Sequence, residues 1–334
     1  MTSYTGLDRP KSKLYYQTWS AIFVVGLLAT MAILYFSTQT VAYTWRWNRV
    51  PQYFLYEEKT EIRAEMEGEI ISVTPQGEAS RVVIAGPDGE EAHSVPMAAL
   101  LLGQGDYVYP GDVLGSFTHW EPGILIEGLW LTLEVSSIAI VFGILLGLFT
   151  GLARISNNPA LRWGAIGYIE LIRGSPLLVQ IFLWYFVVGT VINTMLSKYG
   201  FGPVPPLWFG VMALAIFTGA YTAEIVRAGI QSVHRGQMEA ARSLGMTYAQ
   251  AMRKVILPQA LRRILPPLAG QFISLVKDSS LLGVISIREL TKATREVVTA
   301  SLQPFEIWIV CAILYLILTF TLSMFVQYLE RKAI

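Results

Sequence analysis

The chain has 334 residues, of which 53% are apolar and only 15% charged, and its mean hydropathy is +0.48. A soluble domain carries about 25% charged residues, so this composition excludes intrinsic disorder and describes an integral membrane protein. The single cysteine, Cys311, excludes a disulfide-stapled fold; three scattered histidines (His93, His119, His234) argue against a zinc or iron centre; and a net charge of +1 gives no nucleic-acid footprint.

In chain order, residues 1–16 form a tail carrying Arg9, Lys11 and Lys13, and residues 17–38 form a first membrane helix. Its charge-free core, Trp19 to Phe36, is longer than the 7–15 residues of a signal peptide, although Thr40-Val41-Ala42 faintly resembles a cleavage site. Five further apolar stretches follow at roughly 124–153, 165–193, 206–231, 264–285 and 304–329, each near the ~20 residues a bilayer requires. Basic residues orient them: the tail, Arg154 and Arg162, the stretch 227–263, and Arg331 and Lys332 are expected on the cytoplasmic side. Segment 39–121, with five Lys or Arg against thirteen Asp or Glu, is expected outside, with Trp45 and Trp47 as interfacial anchors. The loop with Arg288, Lys292 and Arg295 is the exception, partly offset by Glu289 and Glu296. The expected fold is mainly α: about six transmembrane helices, both termini cytoplasmic, with a small all-β insert outside.

The insert reads as strands because Glu69–Val73 and Ser80–Ile84 are β-branched runs bounded by turn signals at Pro75-Gln76-Gly77, Gly86-Pro87-Asp88-Gly89 and Tyr109-Pro110-Gly111-Asp112. Met66–Ile70 and Gly105–Leu114 weakly resemble the barrel-sandwich modules of biotinyl and lipoyl carriers. Those modules attach their cofactor to a lysine, and none lies between Lys59 and Lys198, so a carrier role is excluded. A spacer or docking surface is the expectation for 39–121.

Between the fourth and fifth spans, within the loop 234–260, lies Glu239-Ala240-Ala241-Arg242-Ser243-Leu244-Gly245, followed after nine residues by Val255-Ile256-Leu257-Pro258. Locally this is a short helix from Gln237 to Leu244 stopped by Gly245, then a second from about Tyr248 to Ile256. The spacing resembles the Glu-Ala-Ala (EAA) motif of membrane subunits of bacterial ATP-binding-cassette importers. Glu170–Gln180, containing Arg173-Gly174-Ser175-Pro176, together with Ala220–Ile230 and Lys277–Leu281, resembles the polar-amino-acid branch of that family. The likeness covers residues 122–334; the first helix and acidic insert depart from the family's usual five spans.

The resemblance implies a permease working by alternating access. Glu239, Ala240, Ala241, Gly245, Leu257 and Pro258 would form its coupling loop to a separate ATPase. Gly245 permits the sharp turn, and Ala240 and Ala241 would let the helix lie close to its partner. No glycine is followed by lysine, so the chain has no phosphate-binding loop and is not itself the ATPase. No cofactor is expected on this chain; ATP and Mg²⁺ would sit in the partner. The other partners implied are a second permease chain, identical or related, an extracytoplasmic binding protein and an amino-acid substrate, in the lipid of a bacterial inner membrane.

Polar groups at depth are the candidates for the substrate route: Arg173, Ser175, Pro176, Gln180, Glu224, Lys277, Asp278, Ser279 and Ser280. Counting ~1.5 Å per helical residue from the nearest basic residues places Arg173 and Glu224 ~16 Å and Lys277 ~21 Å from the cytoplasmic face. A cation and an anion at similar depth would match an amino acid. The competing reading is internal pairing, Glu170 with Arg173 and Glu224 with Arg227, each three apart on a helix. Two other functional classes remain open at this stage: an ion-coupled secondary transporter acting alone, which would lack an inverted second half, and a membrane-anchored scaffold or sensor built on the insert.

Overall fold

The computed structural model describes residues 12–87 and 89–333, which divide into two compact units, one ending at Trp47 and the other starting at Asn48. Arg9 and Lys11 of the basic tail, Asp88 of the second expected turn, and the Arg331 side chain lie outside the described residues.

The first unit is dominated by helix α1, Lys13–Thr40. The Ser12 hydroxyl caps it by accepting the Tyr15 N–H at 3.3 Å. Beyond its end, the Trp45 and Trp47 rings stack at 5.7 Å.

The second unit begins with the β-rich insert, which forms two sheets. Strands β1 (Leu55–Arg63) and β6 (Val113–Pro122) make an antiparallel ribbon. Strands β2 (Gly68–Gln76), β3 (Ala79–Gly86), β4 (Gly89–Pro96) and the short β5 (Tyr107–Val108) form a four-stranded sheet in the order β4-β3-β2-β5. Alternation drives this: Ile70, Val82, Ile84, Val95, Val108 and Leu114 point into one apolar core and are almost fully buried. At the foot of the ribbon the Gly123 N–H donates to the Phe54 carbonyl at 2.6 Å, and Val50 and Phe54 join a cluster with Leu125, Leu290 and Ile307.

Six helices among the described residues are long and apolar enough to cross a membrane. After α1 they are α2 (Ile124–Arg154), α4 (Leu177–Lys198), α5 (Pro206–Gln231), α7 (Tyr248–Ile285) and α9, whose crossing part is Pro304–Tyr328. Shorter helices lie between them: α3 (Pro159–Arg173), α6 (Arg235–Ser243) and α8 (Leu290–Ser301).

Two spans differ from the sequence-based reading. The stretch 165–193 is not one helix: α3 ends at Arg173 and α4 starts at Leu177. Pro176 offers no N–H and disfavours helical geometry at Ser175, so the chain breaks there. At fifteen residues α3 is only ~22 Å long, and a depth for Arg173 counted along one continuous helix does not hold. Conversely, α7 runs unbroken through Pro258, Pro266 and Pro267 instead of stopping before Pro258. A wide π-type turn at Met252–Ile256 precedes Pro258 and absorbs the backbone bond that proline cannot make.

The centre of the molecule is the packing of α2 on α5. Gly143, Gly147 and Gly151 repeat every fourth residue on α2 and face Thr218, Thr222 and Val226 of α5. Small residues let the two backbones approach, which is how membrane helices gain contact without a hydrophobic driving force. The neighbouring core adds Val135, Ala139, Ile181, Leu214, Leu275 and Leu282. Between the last two spans, the buried Glu289 caps α8 by accepting the N–H groups of Thr291 and Lys292, each at 2.8 Å. Among the described residues its carboxylate does not form an ion pair with the loop's cations. Glu296 does, at 3.0 Å from Arg288 and 3.6 Å from Lys292.

Candidate functional site

Helix α6 and the turn after it form a protruding loop whose shape follows from its sequence. The ring Nδ1 of His234 accepts the Gly236 N–H at 3.1 Å to start the helix. At the other end Gly245 adopts φ +81°, and two backbone bonds close the turn: Gly245 N–H to the Arg242 carbonyl and Met246 N–H to the Ala241 carbonyl. The Arg242 guanidinium adds a bond to the Met246 carbonyl at 3.0 Å. Thr247 and Gln250 then form a reciprocal capping box that starts α7.

The faces of this loop divide its residues. Glu239, Ala240 and Gly245 are exposed, whereas Ala241 is buried within the chain. The expectation that both alanines face a partner is thus corrected: one helical turn cannot present two adjacent side chains to the same side. Met238, Val255 and Leu257 pack with Val226, Ile230, Ile256 and Ile264, so the base of the loop is welded to the ends of α5 and α7. Pro258 is exposed beside it. Two residues missed in the sequence complete the outer face, Leu244 at 81% exposure and Tyr248 at 53%. Large apolar side chains on a polar loop were the available signal.

The candidate route residues divide as well. Arg173 is exposed and its guanidinium lies 5.3 Å from the Tyr221 ring centroid. Lys277 is exposed, and Asp278 and Ser280 are half-buried. Gln180 is buried, and its amide donates to the Ile172 carbonyl at 2.8 Å, the Ser175 hydroxyl at 2.9 Å and the Ser175 carbonyl at 3.2 Å. It therefore satisfies backbone groups freed at the Gly174–Pro176 break. Ser175 itself donates to the Leu171 carbonyl at 3.0 Å, and Pro176 is exposed. Ser279 is fully buried with its hydroxyl on the Val276 carbonyl at 2.8 Å, so it does not line a route in this conformation. Serine hydroxyls in helices commonly bond back to the preceding turn.

Glu224 sits between two arginines: Arg154 of α2 at 2.8 Å and Arg227 of its own helix at 2.9 Å. Arg154 also reaches Glu170 of α3 at 3.9 Å. The Glu170–Arg173 pairing expected from spacing is not among the ion pairs of the described residues, because Arg173 turns to Tyr221. One arginine at the end of α2 thereby ties α2, α3 and α5 together.

A family model described as binding-protein-dependent transport system inner membrane component matches residues 143–334, which include α6, its glycine turn and the α2–α5 contact from Gly143 onward. The chain belongs to that family. Among curated relatives, a probable glutamine ABC transporter permease protein, GlnM of Bacillus subtilis, is 43% identical over 206 residues, covering 62% of this chain and 91% of its own length. The L-cystine transport system permease protein TcyB of the same species is 40% identical over 230 residues, covering 67% and 94%. Among solved structures, one described as an amino acid ABC transporter with histidines superposes with a TM-score of 0.55 at 42% identity, covering 63% of this chain and 94% of the other. The methionine transporter MetNI shares the fold, with a TM-score of 0.53 at 21% identity. The chain is thus a membrane permease component of the ABC-importer kind, and the secondary-transporter and scaffold readings lose their footing. Helix α1 and the β-rich insert lie outside the matched residues.

Proposed function

We propose that this permease forms one half of the translocation domain of an importer for a polar amino acid or close analogue. ATP and Mg²⁺ would be bound by a separate ATPase. The observation that carries the coupling part is the loop built on α6: a short helix held out by a glycine turn, welded at its base to two spans, the loop exposing Glu239, Ala240 and Leu244 and, at the start of α7, Tyr248. A rigid projection of this kind transmits a push from an ATPase groove to α5 and α7 as a body. The glutamine and cystine permeases among its relatives support the substrate class. A second permease chain, two ATPase subunits and an external binding protein complete the assembly. The ATPase co-purifying with the wild-type chain, together with amino-acid uptake that depends on it, is the test; uptake without an ATPase would sink the reading.

The exposed cations Arg173 and Lys277 are proposed to receive the substrate carboxylate. A carboxylate entering a low-dielectric cavity needs a compensating charge, and a charge-assisted hydrogen bond contributes about 1.5–3 kcal/mol. Uptake per assembled complex should therefore fall roughly tenfold or more in Arg173→Met and in Lys277→Met. Arg173→Lys should lose less, since it keeps the charge. Wild-type uptake per complex in both methionine variants would remove these residues from the route.

The membrane orientation is proposed from the charge distribution: both termini and α6 in the cytoplasm, the acidic insert outside the inner membrane. Cysteines placed at Ser94 and at Ala249, both exposed, should separate the two sides. Only the Ser94→Cys thiol should react with an impermeant reagent in cells with a permeabilised outer barrier, and the reverse pattern overturns the orientation.

A further inference from the structure

We propose that Glu58, His119 and Glu121 on the β1–β6 ribbon form a binding site for a divalent transition ion, Zn²⁺ fitting best. Strand register makes the site. Glu58 stands directly across from His119, and Glu121, two residues further on, shares their face. Each residue offers one ligand atom, and the three atoms all lie within 4.8 Å of one another. His119 Nε2 is 2.8 Å from Glu121 Oε1. The other ring nitrogen, Nδ1, lies 3.4 Å from the Thr60 hydroxyl, which can hold the ring's orientation from the far side.

The charge balance of the ribbon supports the same reading. Its basic residues, Lys59 and Arg63, pair with Glu61 on the opposite face, at 2.9 Å and 2.6 Å, and not with Glu58 or Glu121. On the site's own face, Tyr56 stands across from Glu121, and the carboxylates of Glu58 and Glu121 flank the ring of His119. Negative charge thus converges on one imidazole with no lysine or arginine of the ribbon to meet it. A mixed imidazole–carboxylate set suits Zn²⁺ among abundant ions, whereas Ca²⁺ and Mg²⁺ favour all-oxygen sites. The pairing of β1 with β6 explains why histidine spacing along the chain gave no hint of it. A bound ion would clip the two strands at the foot of the insert, immediately before α2.

The test uses the untagged full chain in detergent, stripped with chelator and titrated calorimetrically with ZnCl₂. About one equivalent should bind per chain, at least ~tenfold more weakly in His119→Gln and Glu58→Gln. His93→Gln, which removes the insert's other histidine beside Glu91, should bind as wild type. Equimolar Ca²⁺ should not compete. In hydrogen exchange, Zn²⁺ should slow the β1 and β6 amides of the wild type but not of His119→Gln. No uptake by the wild type, undiminished uptake in both site variants, or loss in His93→Gln would overturn the site. Glu58 is exposed, so Glu58→Gln keeps the binding test decisive if His119→Gln fails to fold.

Discussion

Gly147→Leu is expected to abolish accumulation of folded protein. A Cβ at Gly147 would stand 2.4 Å from the Thr222 Cβ and 2.8 Å from the Gly219 carbonyl oxygen, both on α5. Backbone cannot yield as a flexible side chain can, so the two helices must separate. Gly147→Ala alone should cost about 1–3 kcal/mol, the usual penalty of over-packing, and leucine more than that. The same substitution on α3 should act in the opposite sense. A Cβ at Gly167 meets nothing within 4 Å, so Gly167→Ala should be neutral or stabilise by up to ~1 kcal/mol through helix propensity. Folded yield by size exclusion and thermal unfolding in detergent check both. Equal behaviour of the two variants would mean that the α2–α5 contact is not close-packed.

Gly245→Val should uncouple the transporter while leaving membrane insertion intact. The reason is backbone conformation and not contact, since a Cβ at Gly245 would meet nothing within 4 Å. At φ +81° an L-residue costs about 1–2 kcal/mol, and a β-branched one is the worst placed. That corresponds to a ~5–30-fold loss of the closed turn, and with it the fixed position of Leu244 and Tyr248. Substrate-stimulated ATPase activity and uptake of the reconstituted complex should drop by a similar factor. Gly245→Asn should retain most of both, because asparagine tolerates the left-handed region. Normal coupling in Gly245→Val would remove α6 as the transmitting element.

How much of this was legible in the sequence differs from one feature to the next. The number of spans, the β-rich insert and the short helix stopped by Gly245 could be read directly, because each depends on local properties: apolar run length, alternation with period two, and a residue that permits positive φ. The Gly174-Ser175-Pro176 break was also written locally, yet a run of apolar residues masked it. Span-finding by composition does not register one proline.

What the sequence by itself determined is therefore the class of protein and the order of its elements, since hydropathy and turn chemistry act on neighbours along the chain. Only the tertiary structure decided which polar groups are spent internally. Gln180 repairs a broken backbone, Ser279 bonds to its own helix, and Glu224 is held by Arg154 from another helix. Glycines repeating every fourth residue on α2 became meaningful only once α5 lay against them. The ribbon likewise brings Glu58 to His119 only through strand register. Contacts between segments distant in the chain decide all of these, and for the buried polar groups the physical reason is solvation. Burial in a low-dielectric interior obliges each polar group to find a partner, and which partner lies within reach is fixed by packing between distant segments.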